Sequence, residues 1–287
     1  MNIRADRFLD QPKSIRESVD FVFNMSKGTR GPAKKSLVPA LLDYLGLPYL
    51  GSDPYVLSFV RNKAHLKAFA AHLGISTPPF ALIADYREID RASLPPFPLF
   101  VKPCYESSSI GINEDSLVQD RASLDSAVRS VNVSYRQPAI VESFLPGREF
   151  SVPIIGNATP IPLGVAELTL EGGATLENRF LTSEIVYRYR YGLEPAAEFP
   201  ASQEMMRTAV TLFQAVGMRD YGRVDFRLDA EGRPFLLEAS THPHLARHSD
   251  FAVLSQSKGL DYTTFLRELL SASFLRCGLG WSNLTKS

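Results

Sequence analysis

At 287 residues the chain is long enough for one large domain or for two to three packed subdomains around a substantial core. Its hydrophobic content of 45%, charged content of 22% and formal net charge of +0 mark an ordinary soluble globular protein with no cationic excess to grip nucleic acid or anionic lipid. Only two cysteines occur, Cys104 and Cys277, far apart in sequence, which argues against a disulfide framework or a thiolate metal cluster and fits a reducing cytoplasm.

The opening stretch MNIRADRFLDQPK is charged throughout and lacks the apolar region of a signal peptide, and no apolar run nears the length of a membrane span, so a cytoplasmic protein is expected. SVDFVFNM (18–25) reads as a short strand, SKGTRGPAKK as a basic loop, and SLVPALLDYLG as a helix ending at Gly46. A boundary is expected near Ser52. Residues 55–73 carry the spacing of one helix ending at Gly74, and STPP breaks the chain before the strand FALIAD.

Next, FPLFVKPCYESSSIGI places Lys102 at the end of an apolar strand (97–102), directly ahead of a serine-rich loop. A helix is predicted over 120–131, then strands AIVESFL and REFSVPIIG split by Pro146 and Gly147. EGGA is a turn, and a tyrosine-rich extended segment runs to about Pro200. Met205, Met206, Ala209, Leu212, Phe213 and Val216 recur at helical intervals over 202–216, with Ser202 as the expected N-cap. No repeat is present, and the mixture without strict alternation predicts an α+β fold.

GRVDFRLDAEGRPFLLEAST (222–241) is the most informative segment. Its alternation separates Val224, Phe226 and Leu228 from Arg223, Asp225 and Arg227, and a symmetric hairpin would pair Phe226 with Phe235 and Val224 with Leu237. That register sets Glu238 opposite Arg223 and diagonal to Asp225, about 7–8 Å away, with Ser240 on the same face. Two carboxylates so placed suit Mg²⁺, and Arg223 would meet developing anionic charge. The plainer alternative is a solvated face of surface ion pairs. A further alternative is a zinc site built from His242, His244 and His248 with Glu238.

Taken in order, FPLFVKPCYESSSIGI, IVESFLPGREFSV, GRVDFRLDAEGRPFLLEAST and HSD resemble the ATP-grasp superfamily, and most closely its D-alanine–D-alanine ligases, from about residue 18 to near the C-terminus. The resemblance implies an ATP-grasp fold with a shortened N-terminal α/β subdomain (1–52), a central subdomain (53–142) and a C-terminal subdomain bearing the metal site (143–287). It implies ATP and Mg²⁺ (or Mn²⁺) as cofactors, small amino-acid-like carboxylate and amine substrates, no nucleic-acid or membrane partner, and room for a homodimer. Lys63 and Lys102 would reach nucleotide phosphate, and Glu106, Ser107, Ser108 and Ser109 would form the loop closing over it, with Ser108 at the reacting centre and backbone N–H groups from Ser107 to Gly111 binding anion. Glu142, Ser143, Phe144 and Leu145 resemble the adenine-binding hinge, Glu149 the ribose-binding acid, and Arg190 or Tyr191, within YRYRYG, a mobile loop residue near the phosphates. Asp225, Glu238 and Ser240 would hold metal, Arg223 would steady the tetrahedral intermediate, and Ser249 would bind the carboxylate of the second substrate.

The chain also departs from the family. Ser240 stands where the family has Asn, while His244 and Ser107 replace glycines and narrow the room available. The family's glycine-rich N-terminal strand, with the acid that binds the first substrate's ammonium, has no counterpart before residue 18. GTRGPAKKS instead brings Arg30, Lys34 and Lys35 toward that side, which implies a different, more acidic first substrate. The expected activity is amide formation through an acyl phosphate with release of ADP. The alternatives are an ATP-grasp module that binds nucleotide without ligase activity, and a zinc hydrolase.

Overall fold

In the computed structural model, which describes residues 12–28 and 31–281, helix α1 (Pro12–Ser18) leads into irregular chain. The strand expected over 18–25 is reduced to one parallel bridge between Val22 and Tyr49, where the Val22 N–H donates to the Pro48 carbonyl at 2.9 Å. No second strand lies beside it among the described residues to extend the ladder. Helix α2 (Leu37–Leu45) ends as predicted at Gly46, whose φ of 64° lets its N–H turn back onto the Asp43 and Leu42 carbonyls.

The helix expected over 55–73 is two helices, α3 (Pro54–Arg61) and α4 (Lys63–His72). Asn62, at φ −80° and ψ 99°, ends the first and caps the second, its Oδ1 accepting from the His65 N–H at 3.1 Å. The break makes Lys63 the first residue of a new helix, and its N–H donates to the Cys104 carbonyl at 3.2 Å.

Strands β1 (Phe80–Ile83), β2 (Leu99–Pro103), β3 (Leu117–Val118) and β4 (Ala139–Ser143) form an antiparallel sheet in the order β1-β4-β2-β3. Helix α5 (Arg121–Ser130) covers one face, where Leu124, Ala127 and Val128 bury against Leu99, Val101 and Val141. Strand β2 is buried at every position, which is why it reads as a continuous apolar run.

The second sheet comprises β5 (Glu149–Ile155), β6 (Ile161–Pro162), β7 (Ala166–Leu170), β8 (Tyr191–Pro195), β9 (Tyr221–Leu228) and β10 (Pro234–Ser240), in the order β10-β9-β5-β7-β8 with β6 beside β5. A short helix, α6 (Ser183–Tyr187), lies between β7 and β8. Helix α7 (Ser202–Ala215) buries Met205, Ala209, Leu212 and Phe213 against Phe150, Val152, Val224 and Phe226. Burying each such large side chain stabilises the fold by about 1.5–3 kcal/mol as an upper estimate. Val56, Val60, Leu66 and Ala70 of α3 and α4 join this core, so these two helices pack on the second sheet. Helices α8 (Asp250–Ser257) and α9 (Tyr262–Arg276) seal its other end through Phe251, Leu254, Phe265 and Leu269. Ser202 is not the cap of α7; Ala201 holds that place, and the Ser202 hydroxyl donates back to the Ala196 carbonyl at 2.7 Å.

The symmetric register expected for the β9–β10 hairpin is one place off from the turn onward, Pro234 pairing with Leu228, and a bulge between Leu236 and Glu238 adds one place more. Phe226 pairs with Leu236 and Val224 with Ala239, so Leu236 rather than Leu237 enters the core. The extra residue shifts everything beyond it by one place, setting Glu238 directly opposite Asp225 and Ser240 opposite Arg223. Close backbone approach also fixes Gly147, where an added Cβ would lie 2.5 Å from the Leu228 carbonyl oxygen. Gly147→Ala is expected to lower stability by about 1–3 kcal/mol through overpacking, read as a lower urea midpoint at unchanged slope.

Candidate functional site

A cavity of about 1190 Å³ opens between the two sheets, larger than a pocket for one small ligand and roomy enough for a nucleotide beside smaller molecules. Lys63, Lys102, Ser107, Ser108, Ser109, Arg223, Asp225, Glu238, Ser240 and Ser249 all line it. So do Glu106, Glu142, Ser143, Phe144, Leu145 and Glu149, so the sequence motifs converge in space. Arg190 does not line it: its side chain is 57% exposed and lies 4.0 Å from Glu171, while Arg188, Tyr189 and Tyr191 face the cavity.

Lys102, one residue before the end of β2, projects to Glu142 on the adjacent β4, with Nζ 2.6 Å from Oε1. The other carboxylate oxygen of Glu142 is 3.0 Å from Nζ of Lys67, a lysine with no exposed side-chain surface that also donates to Thr77 Oγ1 at 2.8 Å. Burial works against ionising Glu142, but Lys102 and Lys67 outweigh it and hold its proton affinity down at about 2. Burial brings Lys67 down to about 8, against the pull of Glu142. Lys102 is pressed down by burial yet raised on balance by Glu142 and Glu238. Glu142 therefore presents no free acid to an adenine; its carboxylate is spent on the two lysines. Likewise the N–H groups of Ser143 and Phe144 donate to the carbonyls of Pro79 and Pro98, and the Leu145 carbonyl accepts from Arg227 Nε at 2.6 Å.

The serine loop is tightly folded. Ser108 and Ser109 hold φ of 58° and 53°, unusual for residues with a side chain, and Gly111 holds 84° where a Cβ would lie 2.4 Å from Pro103. The N–H groups of Ile110 and Ile112 close turns onto Ser107 and Ser109, while those of Ser108, Ser109 and Gly111 have no acceptor among the described residues. Helix α6 grips the loop, its Ser183 N–H donating to the Ile112 carbonyl at 2.9 Å and its hydroxyl to the Ser109 carbonyl. Glu106 faces away from phosphate duty: Lys34 lies 3.1 Å and Arg61 3.2 Å from its carboxylate, and Gln137 donates to it at 3.2 Å. The Glu106 carbonyl accepts from Lys63 Nζ.

On the hairpin, Arg223 clamps Asp225 through Nε at 2.7 Å and Nη2 at 2.8 Å, and its Nη1 lies 3.4 Å from Asp250. Lys63 Nζ is 3.1 Å from Glu238. Burial, helped by the Glu238 carboxylate, pushes Asp225 well above the ordinary carboxylate range despite Arg223. Glu238 is held below it, because Lys63, Lys102 and Arg223 outweigh its burial. Oδ1 of Asp225 and Oδ2 of Asp250 are buried with no aligned hydrogen bond. Two facing carboxylates are an oxygen donor set suited to a hard divalent cation, with the Ser240 hydroxyl further along the same strand. Asp225 and Arg227 are nearly inaccessible, so this is no solvated sheet face.

Several roles differ in detail from expectation. Glu149 lies 3.0 Å from Arg227, and burial raises its proton affinity against that guanidinium. Ser249 caps α8, its Oγ accepting from the Ala252 N–H at 3.3 Å, which leaves its O–H as the group free to meet a ligand. Arg30 lies outside the described residues. His244 and His248 lie with ring centroids 5.0 Å apart, but no three His, Cys, Asp or Glu among the described residues could jointly hold a metal ion, so the zinc centre finds no support.

The sequence reading missed three contributors. Lys67 lies four residues after Lys63 on one helix face, a legible spacing; Arg227 was visible as the third charge of the β9 alternation. Phe180, which packs edge-on to Phe100 at 4.9 Å and completes an apolar wall with Phe144, carried no signal in its loop.

His242 is pushed down to about 4 by burial and by the nearby Lys35 and Lys27. Its ordinary value is near 6.5, so between about pH 6.5 and 4 the unfolded chain binds the proton that the native site refuses, and stability falls as pH falls through that window. His242→Gln is expected to flatten this part of the pH–stability curve, measured by urea unfolding across it.

The chain matches the family described as "D-ala D-ala ligase C-terminus" over residues 69–271. An uncharacterized protein, y4sG, of Sinorhizobium fredii is 31% identical over 277 residues, covering 94% of this chain and 79% of that protein. A D-alanine–D-alanine ligase of Cupriavidus necator is 30% identical over 261 residues, covering 89% of this chain and 76% of the ligase. Among solved structures, D-alanine–D-alanine ligase from Bacillus anthracis complexed with ATP superposes with a TM-score of 0.75 at 20% identity, over 97% of this chain and 87% of that one. VanG D-Ala:D-Ser ligase from Enterococcus faecalis gives 0.72 at 24% identity, over 89% and 73%. These likenesses show the ATP-grasp fold. No helix among the described residues is long and apolar enough to cross a membrane.

Proposed function

The chain belongs to the D-alanine–D-alanine ligase family of ATP-grasp proteins, and from that membership and the cavity's chemistry we propose that it is an ATP-dependent carboxylate–amine ligase. The observation that carries the reading is the meeting of Lys63 and Lys102 with the Asp225–Glu238 pair and Arg223 at one cavity wall. The partition into residues 1–52, 53–142 and 143–287 belongs to the same reading, supported by a first sheet confined to 80–143 and a second confined to 149–240.

Adenine would rest against the apolar wall of Phe100, Phe144 and Phe180, with Glu149 beside the ribose. Lys63, Lys102 and the free N–H groups of the serine loop would hold the triphosphate. Asp225, Glu238 and Ser240 would hold Mg²⁺ or Mn²⁺, which supplies positive charge to the phosphates. A substrate carboxylate then attacks the γ-phosphorus, breaking its bond to the β-phosphate oxygen, and ADP departs from an acyl phosphate. The two lysines offset the repulsion between nucleophile and phosphates, and Ser108 positions the transferred group. The amine attacks the acyl carbon, Arg223 steadies the oxyanion, and phosphate leaves as the amide forms. The Ser249 O–H orients the amine substrate's carboxylate. The α6 grip on the serine loop keeps water from the acyl phosphate.

A screen of acid and amine pairs with ATP and Mg²⁺ tests this. The expected result is ADP, not AMP, released only when both partners are present, together with the amide mass. Tight nucleotide binding without amine-dependent ADP release would replace the ligase reading by that of a nucleotide-binding module.

A further inference from the structure

The cations around the cavity are mostly paired: Lys34 and Arg61 share Glu106, Lys63 faces Glu238, Lys102 faces Glu142, and Arg227 faces Glu149. Lys27 and Lys35 also line the cavity and have no carboxylate partner within ion-pair distance among the described residues. Lys35 makes one weak polar contact, Nζ to Ser107 Oγ at 3.5 Å.

The described segments that carry them, 24–28 and 31–36, are each held by local contacts. The Ser26 N–H donates to Asn24 Oδ1 at 3.0 Å, and the Gly28 N–H to Ser26 Oγ at 3.3 Å. Gly28 sits so close to Lys34, with φ of 66° and 1.8 Å from an added Cβ to the Lys34 carbonyl oxygen, that only glycine fits there. The Lys34 pair with Glu106 and the Ser36 hydroxyl, 2.7 Å from that of Ser58, tie the second segment to the protein body. Lys35 is therefore held inward, part-buried, within the field of Arg61, Lys27 and Lys63. Burial first and these cations next bring it down to about 8, against the pull of Glu238, so at neutral pH it remains largely an ammonium. Half-buried His242 lines the same cavity as the two lysines and brings ring nitrogens able to hydrogen-bond an oxygen group.

An ammonium that is partly desolvated, repelled by its neighbours and unpaired is stabilised by an arriving anion, whereas a substrate ammonium placed there would be repelled. We propose that Lys27, Lys35 and His242 form a subsite for a second anionic oxygen group on the carboxylate substrate, so that the acid activated by this protein is at least dianionic, such as a dicarboxylate or a phosphorylated acid. The proposal rests on the ligase reading for the fate of the substrate, but binding alone tests it. Because Lys35 also touches the serine loop, the competing assignment is that these lysines serve the nucleotide phosphates.

Calorimetry distinguishes the cases. The full chain is titrated first with Mg²⁺ and a non-hydrolysable ATP analogue, and the loaded protein is then titrated with D- and L-alanine, D- and L-aspartate, D- and L-glutamate, succinate and O-phosphoserine. At least one dianionic acid should bind about tenfold or more tightly than either alanine, the scale of one charge-assisted hydrogen bond. The variant Lys27→Met/Lys35→Met, checked for folding by circular dichroism, should lose that preference while its analogue affinity changes by less than about twofold. Preference for carboxylates over O-phosphoserine, or the reverse, identifies the anion. Alanine binding as well as every dianion, no acid binding at all, or an equal loss of analogue affinity in the variant would each overturn the proposal. Failure of the wild-type chain to bind the analogue would instead strike the nucleotide reading, which keeps the two failures separate.

Discussion

Arg223→Ala is expected to lower turnover by about 10²–10³-fold while nucleotide still binds, because in the proposed mechanism its guanidinium is the cation that meets the oxyanion. Its side chain is only 28% exposed and is clamped between Asp225 and Asp250, so it is preorganised and moves little during a reaction. The acids have a second consequence. Burial opposes the charge on Arg223, but Asp225 and Asp250 outweigh it and raise its proton affinity, so the guanidinium stays charged under all working conditions. Arg223→Lys keeps a charge but loses the two-pronged grip on Asp225, and should fall between wild type and the alanine variant. The check is kcat from ADP release, with nucleotide affinity and circular dichroism as controls; nearly unchanged kcat in Arg223→Ala rejects the role.

Glu142→Gln should cost about 3–5 kcal/mol of stability, since it removes the carboxylate paired directly with the buried ammoniums of Lys67 and Lys102 and leaves only the more distant Glu238 to offset them. Lys67 has no exposed side-chain surface and Lys102 and Glu142 very little, so water replaces the lost partner only in part. The sign with pH follows from the depressed proton affinity of Glu142. Its contribution is fully present above the ordinary carboxylate value of 4.5 and is lost as pH falls from there through about 2. The stability gap between wild type and variant should therefore be widest near neutrality and shrink in acid, as read by urea unfolding at pH 7 and near pH 3. Nucleotide affinity should fall with it, because Lys102 loses the partner that orients it.

Much of this arrangement was legible because periodic patterns and chemistry agreed. The continuous apolar run of β2 ending in Lys102, and the alternation of β9, each put a charged group at a cavity wall. What failed did so for local reasons. Asn62 splits a helix because a side-chain cap competes with helix propagation, a signal overshadowed by unbroken helical spacing on both sides. The bulge between Leu236 and Glu238 is set by packing of Leu236 into the α3–α4 core and by the Leu236 N–H donating to the Ser76 carbonyl at 2.8 Å, partners 160 residues distant in sequence. That bulge brings Glu238 opposite Asp225, a closer fit to a metal than the diagonal expected from the symmetric hairpin. The buried pairing of Glu142 with two lysines was equally invisible, since a glutamate in a strand reads the same whether it meets solvent or an ammonium.

The most direct test is calorimetric titration of ATP with Mg²⁺ into wild type and Lys102→Met. One nucleotide per chain, bound only with the divalent ion and weakened about tenfold or more in the variant, is the predicted outcome. Absence of binding to folded wild-type protein, or equal affinity in both proteins, would contradict the account.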